Sequence, residues 1–348
     1  MFEVKIDGQK MTNFEEFEIS MNYDSIAWTF SLTGSFNPDN PTHKAAFQPW
    51  SYKPIQLFNN GLLLLTGKII DWAFGETPEK NTVRIAGYSL PGVLEDCEIP
   101  ESAYPLQSDD MSLVEIAWRV TDPFDLTVSV DDILNADADT VYKTVTARAT
   151  QKVKDFLAEL ASQRKIILST NPEGELVFTR PNAKGESKAT FATGQQPMTR
   201  IRSHFPGQSH HSEVTVLKQP GFGDDEEGNS ACVQNLTVSG FRPHIREQRS
   251  GAELDTEKVA SAVMGAEIAQ NEFSITLDRW QVRDIHLLPG DVITVFAPGA
   301  YVFSPTRLFI RSLSFSGSPQ EMTANIIAVL PDSFGDSYPM DFLTGGAQ

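Results

Sequence analysis

From Phe17 onward, apolar side chains occupy every second position: Phe17, Ile19 and Met21, then Ile26, Trp28, Phe30 and Leu32. That period of two turns one face of a strand toward a core, so the first ninety residues predict strands. A loop rich in Pro and Asn, Asn37 to Pro41, leads to Pro54, Ile55 and Leu57, then to an Asn59-Asn60-Gly61 turn. Leu62 to Ile70 and, past a turn holding Gly75 and Pro78, Val83 to Ile85 complete a three-stranded meander. Leu62 to Leu65 breaks the alternation with four consecutive leucines. This predicts that both faces of that strand leave water, one in the core and the other against a second subunit or a neighbouring domain.

The period changes after residue 90. Ser112 with Glu115 forms a capping-box pair ahead of Leu113, Ile116, Ala117 and Val120, which predicts a short amphipathic helix near 112–121. Val153, Phe156, Leu157, Leu160 and Ala161 make an i, i+3, i+4, i+7, i+8 stripe after Thr150, predicting a second helix near 151–164 with Arg164 and Lys165 at its carboxyl end. Ile166 to Leu168 and Leu176 to Phe178 flank Asn171-Pro172-Glu173-Gly174, a turn whose Pro presets φ and whose Gly takes φ > 0. Strand patterns resume near Ile201 and at Val214 to Leu217, and return at Leu236 to Val238 beyond Pro220 to Asn229. A third helix near 256–271, starting at Asp255 or Thr256, is expected to carry Val259, Ala262, Val263, Ala266 and Ala269 inward, and strands follow to Leu330.

The expected architecture is mainly β with α+β insertions. Residues 1–90 form a first β-barrel-like tube domain, and 91–195 an acidic linker with a small α/β module whose hairpin spans 166–180. Residues 196–330 form a second β-barrel-like domain, and 331–348 a tail that is either an extended arm or a frayed end. Pro54 to Ile85 and Pro289 to Ile327 share an order of proline, strand, Gly turn, strand, turn, strand, the second copy turning at Pro298-Gly299 and Gly317-Ser318-Pro319. Identities are few, so approximate duplication and two unrelated meanders both fit.

Composition narrows the function. The 348 residues suggest two or three cores, at roughly 100 to 200 residues per domain. The 28 Lys and Arg against 46 Asp and Glu leave a net charge of −18, which argues against a reader that grips nucleic-acid phosphates. Between Glu95 and Asp139 thirteen acids face one base, Arg119, and Asp224-Asp225-Glu226-Glu227 reads as an exposed loop tip. No apolar stretch reaches the roughly 20 residues of a membrane span, and Met1 to Lys10 lacks the basic-then-apolar order of a secretory signal. Two cysteines, Cys97 and Cys232, make no disulfide framework and no paired metal spacing.

The search for chemistry predicts no catalytic residue, no cofactor site and no metal site. Ser89 and Ser209 follow Gly-x but lack the next glycine of a nucleophile elbow. His210 and His211 are adjacent, so strand geometry sends them to opposite faces where they cannot chelate one ion together, and a solvated strand end is the expectation. Asn135, Asp137 and Asp139 open like a calcium loop, but its sixth and twelfth positions hold Thr140 and Thr146 instead of Gly and Glu. Gly221-Phe222-Gly223 runs into four acids that would repel a phosphate. Cys97 has three acids within two positions, which raises its pKa and blunts it. Trp28, Trp50, Trp72, Trp118 and Trp280 are expected in the core.

The order of several stretches carries more than any single motif. Val83-Arg84-Ile85-Ala86-Gly87-Tyr88-Ser89 running into Leu94-Glu95-Asp96-Cys97, the short helix ending in Pro123-Phe124, and Thr150 to Pro181 follow one another. Arg242-Pro243, the helix after Asp255-Thr256-Glu257, and Trp280 followed by Leu288-Pro289-Gly290-Asp291 come next. In this order the chain resembles the baseplate hub proteins of contractile-tailed, Mu-like bacteriophages, the tail protein or late control protein D-like family. The resemblance covers nearly the whole chain, except Leu62 to Pro78 and the acidic loop at Asp224.

The resemblance implies a structural protein rather than an enzyme. It would be a homotrimer whose two barrel-like domains per subunit form a pseudo-sixfold ring, adapting a sixfold tail tube to a threefold central spike. Implied partners are the spike protein, the tail tube or tape measure protein, and baseplate wedge proteins. The implied location is the virion tail baseplate, after assembly in the bacterial host cytoplasm, with no membrane. DNA would pass during ejection without sequence-specific binding. Three chains of −18 bring −54, and acidic walls would repel that DNA. A tail-associated cell-wall glycan or peptidoglycan hydrolase is the alternative. Leu63, Leu65, Tyr301 and Phe303 are the candidate subunit or partner interface residues, because their strands hold more apolar content than one core needs.

Overall fold

A computed structural model of the chain describes residues 2–182, 185–218, 229–248, 256–282, 285–318 and 321–331. The acidic run at Asp224, the glycines of Gly221-Phe222-Gly223, the helix start at Asp255, turn position Pro319 and the tail beyond 331 lie outside them, as do the side chains of Asn135 and Asp137. The chain is mainly β with inserted helices and small sheets. Contacts divide it into two compact units, Met1–Arg180 with Ser312–Ala324, and Pro181–Arg311 with Asn325–Gln348.

In the first unit every strand of the main sheet is antiparallel to its neighbours. Residues 312–317 pair with Phe14–Asn22, which pairs with Thr29–Ser35, then Asn81–Ser89, Leu62–Glu76, Pro54–Asn59, Phe2–Ile6 and Gln9–Met11. The alternation seen in the sequence becomes the inner face, with Ile19, Met21, Leu32, Ile55, Leu57, Val83 and Ile85 all buried. Asn60 and Gly61 take φ of +49° and +83°, the left-handed pair that a tight two-residue hairpin requires. Barrel-like domains are the sequence expectation, but among the described strands the pairing runs as an open path and closes into no barrel, because Gln9–Met11 has a partner on one side only.

The four leucines have a local explanation. The register between Pro54–Asn59 and Leu62–Glu76 slips between Leu57 and Phe58, which face Leu65 and Leu63 respectively. Leu64 is the extra residue of a β-bulge, so Leu64 and Leu65 both reach the interior while Leu62 remains 42% exposed. The bulge accounts, within the chain itself, for two consecutive buried leucines.

Residues 91–180 pack around a second cluster of the same unit, which includes Leu94, Ile116, Leu157, Leu160, Leu176 and Phe178 and takes Ile26 from the first ninety residues. Helices Leu113–Thr121 and Val153–Ser162 cover a three-stranded sheet in which Leu176–Thr179 pairs antiparallel with Ile167–Thr170 and parallel with Val128–Val130. Ser112 Oγ accepts the Glu115 N–H at 3.2 Å, and the Glu115 carboxylate accepts the Ser112 N–H at 2.7 Å. The Ser112 backbone bond, and then its hydroxyl, hold the Glu115 carboxyl below its ordinary value. A lowered folded-state pKa stabilises above the unfolded value and is lost as pH falls through the folded one. Ser112→Ala should therefore cost about 1 kcal/mol in denaturant unfolding at neutral pH. The destabilisation by Glu115→Gln should fade as pH drops below about 4.

In the second unit Met198–His204 pairs with Glu272–Leu277, and Val292–Ala297 lies between Ser187–Ala192, parallel, and residues 302–309, antiparallel. A separate small sheet places Glu213–Lys218 between Asn229–Gln234 and Pro243–Gln248, with helix Thr256–Ile268 packed against it. The inward residues of this helix are Ala260, Val263, Met264, Glu267 and Ile268, whereas Ala262 and Ala266 are exposed. The expected inward face is thus rotated: the larger Met264 and Ile268 bury more apolar area than the alanines, and they bring a carboxylate, Glu267, with them.

Candidate functional site

The four candidate interface residues separate into two kinds. Leu65 is fully buried in the core of the first unit, and Leu63 beside it is half-buried opposite Phe58. Tyr301 and Phe303, in the second unit, stand 51% and 45% exposed, their rings 4.9 Å apart. Tyr301 holds a left-handed φ of +63°, and its loop is tied down where Ser203 Oγ donates to the Ala300 carbonyl at 2.7 Å. Phe205 touches Tyr301 edge-on at 6.2 Å and the buried Phe273 at 5.8 Å. The result is a rigid aromatic ladder that starts in the core and ends at the surface, the kind of anchor that dominates protein interfaces.

A second aromatic feature is not foreseen from the sequence. Trp50 is 79% exposed and Tyr52 53% exposed, both with positive φ, +59° and +46°. Tyr52 packs edge-on against Trp72 at 5.9 Å, and Lys53 Nζ is 2.6 Å from Asp7. Two non-glycine residues in the left-handed region store strain that persists only where neighbours impose it. Pro49 and Pro54, bracketing a stretch with no period, were the available signal. Trp28 and Trp280 are core residues as expected; Trp50 and Trp118 are exposed, because a loop and the outer face of helix Leu113–Thr121 carry them out.

The histidines also differ from expectation. His210 and His211 do go to different partners: the His210 ring meets the Pro206 carbonyl and the Asn271 amide, each at 3.1 Å. His211 is half-buried rather than a solvated strand end, since helix Thr256–Ile268 lies against it. Its Nδ1 is 2.7 Å from Glu267 Oε1, and Nδ1 of His244 is 2.8 Å from the same oxygen. His211 N–H also donates to Glu267 Oε2 at 3.2 Å. Among the described residues this trio is the group with the spacing to hold a metal, its three ligand atoms all within 4.8 Å. The sequence hid it because its members lie on a loop, a strand and a helix, 33 and 23 residues apart.

Among the described residues, no comparable constellation supports covalent chemistry. Burial, then Asp96 and Glu98, push the Cys97 thiol up, away from the thiolate a nucleophile needs. Ser89 is fully buried, its Oγ donating to the Ile26 carbonyl and accepting the Trp28 N–H, each at 3.0 Å. Its Gly-x-Ser context is therefore structural.

Comparison with known proteins follows the same direction. Residues 91–180 match the family of the baseplate hub protein gp44-like, second domain. Over 340 residues the chain is 21% identical to baseplate hub protein gp44 of Escherichia phage Mu, covering 94% of this chain and 87% of that protein. The crystal structure of the 43 kDa tail protein of prophage MuSo2 from Shewanella oneidensis superposes with a TM-score of 0.80 at 22% identity, covering 95% of this chain and 98% of that one. The tail protein from Neisseria meningitidis MC58 gives 0.78 at 18% identity, with 97% and 99% covered.

Proposed function

With its second domain, a near full-length relative and its fold all pointing to a Mu-like baseplate hub, a structural tail protein and not an enzyme, we propose that three copies of this chain build the hub ring. The observation that carries this reading is the alignment with the Mu hub protein, which spans 94% of this chain and 87% of that protein. In that ring, as the resemblance implies, each chain supplies two positions around the axis, so that three chains present six to the tail tube above and three to the central spike below. The ring gives a channel for DNA, and the charge of −18 per chain supports passage without sticking. Tail tube or tape measure protein, spike and wedge proteins are the partners, and the particle is assembled in the host cytoplasm. The hydrolase alternative finds no support in relatives that are hub and tail proteins.

Tyr301 and Phe303 are the partner-facing anchors of this reading, since they alone of the four candidate residues combine a rigid base with exposure. Light scattering of the purified chain at micromolar concentration should give three times the chain mass. Tyr301→Asp with Phe303→Asp should weaken the trimer by about 1,000-fold in dissociation constant, the loss expected of two aromatic anchors at about 2 kcal/mol each. A monomer in solution that also stays single in the assembled particle overturns the ring.

A further inference from the structure

We propose that His211, His244 and Glu267 form a binding site for a divalent first-row transition ion of the zinc type, which staples helix Thr256–Ile268 to the small sheet of the second unit. Three observations carry it. The first is convergence: Nδ1 atoms from a loop and from a strand approach one carboxylate oxygen at 2.7 and 2.8 Å, with the imidazole rings 4.8 Å apart. Two nitrogens and a carboxylate are a zinc donor set with one position left for water, whereas calcium and magnesium would ask for oxygen ligands.

The second is burial. Glu267 has a side chain only 8% exposed on the inward face of its helix, while His211 and His244 are 24% and 36% exposed. The carboxylate sits at the floor and the imidazoles open toward solvent, which gives an ion its entry path. Parallel pairing explains the aim of His244: its register partner is Val214, which is fully buried beneath the helix, so His244 lies on the same face of the sheet. The alternate residue, Ile245, is 63% exposed on the other face.

The third is a supporting shell that fixes both histidine backbones. Arg242 donates from its N–H to Ser212 Oγ at 2.8 Å, from Nε to the His210 carbonyl at 3.0 Å and from its guanidinium to the Gln208 carbonyl at 3.1 Å. Ser212 N–H returns a bond to the Arg242 carbonyl at 2.9 Å. The loop before His211 and the strand start before His244 are thereby locked together, and Asn271 holds the neighbouring His210 ring out of the way. Ligands need such outer contacts to hold their geometry. In the ion-free contact each Nδ1–H donates to Glu267. On binding, each imidazole gives up that proton to water and takes one from water on Nε2, so that Nδ1 presents its lone pair to the ion with no net change in protons or electrons.

The test uses the full chain after chelator treatment and dialysis, with Zn²⁺ alone and Co²⁺ alone as probes. One equivalent of Zn²⁺ should bind and raise the melting temperature, and Co²⁺ should give the intense visible absorption of four-coordinate nitrogen and oxygen ligation. His244→Ala and His211→Ala should each lose about 100-fold in Zn²⁺ affinity, a ligand's share of a typical site. His204→Ala, outside the cluster, should bind as the unaltered chain does. Absence of Zn²⁺ binding, a weak six-coordinate Co²⁺ spectrum, or affinity unchanged in His244→Ala would each overturn the site. Should the variants not fold, the Co²⁺ spectrum of the unaltered chain decides by itself. None of these readouts depends on trimer formation, so the site and the ring stand or fall separately.

Discussion

Gly87→Ala is expected to destabilise the first unit by about 3 kcal/mol, the upper range for overpacking a close-packed interior. A Cβ on Gly87 would lie 2.0 Å from the Lys68 carbonyl oxygen and 2.6 Å from the Phe30 ring. The opposing strand cannot yield cheaply. Gly67, on that strand, already sits with its own Cβ position 2.1 Å from the Tyr88 carbonyl oxygen. The register there jumps from Ile69 opposite Gly87 to Asp71 opposite Ala86, a bulge that draws the two backbones together. The reduced freedom of the unfolded chain would return at most about 1 kcal/mol. Amide exchange at Ser89, whose N–H donates to the Trp28 carbonyl at 2.8 Å, should quicken by about 100-fold. Gly207→Ala, where an added Cβ meets nothing within 4 Å, is the control and should change stability by less than about 0.5 kcal/mol. Equal effects at the two glycines would refute the close-approach account.

The second large effect is expected at Phe178. Its ring is fully buried in the cluster that holds residues 91–180 together, and its strand is paired on both sides, Leu168 opposite on one and Val130 on the other. Phe178→Ala should cost about 3–5 kcal/mol through lost transfer energy and the cavity left behind. Against a domain stability of about 5–15 kcal/mol, that is a third or more of the total for all but the most stable domains. Trp118→Ala, equally aromatic but 56% exposed on a helix of the same module, should cost under about 1 kcal/mol. Urea unfolding followed by circular dichroism compares the two. A Phe178 variant no weaker than the Trp118 variant would show that the cluster is not the core of this module.

Where a single element can bury its own pattern, the sequence was enough. The stripe Val153, Phe156, Leu157, Leu160, Ala161 is buried residue for residue in helix Val153–Ser162, and Ser112 with Glu115 caps helix Leu113–Thr121 as spaced. The alternating strands of the first unit bury the faces that the period of two assigns. These patterns are local, and each names its own inward side.

Where a partner from elsewhere chooses among faces, it was not. The helix Thr256–Ile268 turned Met264 and Glu267 inward in place of Ala262 and Ala266, because the sheet it covers rewards the bulkier side chains. The four leucines signalled surplus burial, and a one-residue slip against Pro54–Asn59 is what turns two consecutive ones, Leu64 and Leu65, inward. Exposed Trp50 and Tyr52 depend on backbone angles that no hydrophobic period encodes.

Sequence alone thus determined that the chain is mainly β, that it carries an acidic surplus of 18 charges, and which helices and hairpins insert between its strands. The order of its short motifs also resembles that of Mu-like baseplate hub proteins. Only the tertiary structure decided which leucine is spare, that the sheet stays open among the described strands, and that His211 and His244 converge on one carboxylate. The physical reason is range: a period of two or of 3.6 acts between near neighbours along the chain, whereas bulges, helix rotation and ligand convergence are settled by side chains brought together from distant segments.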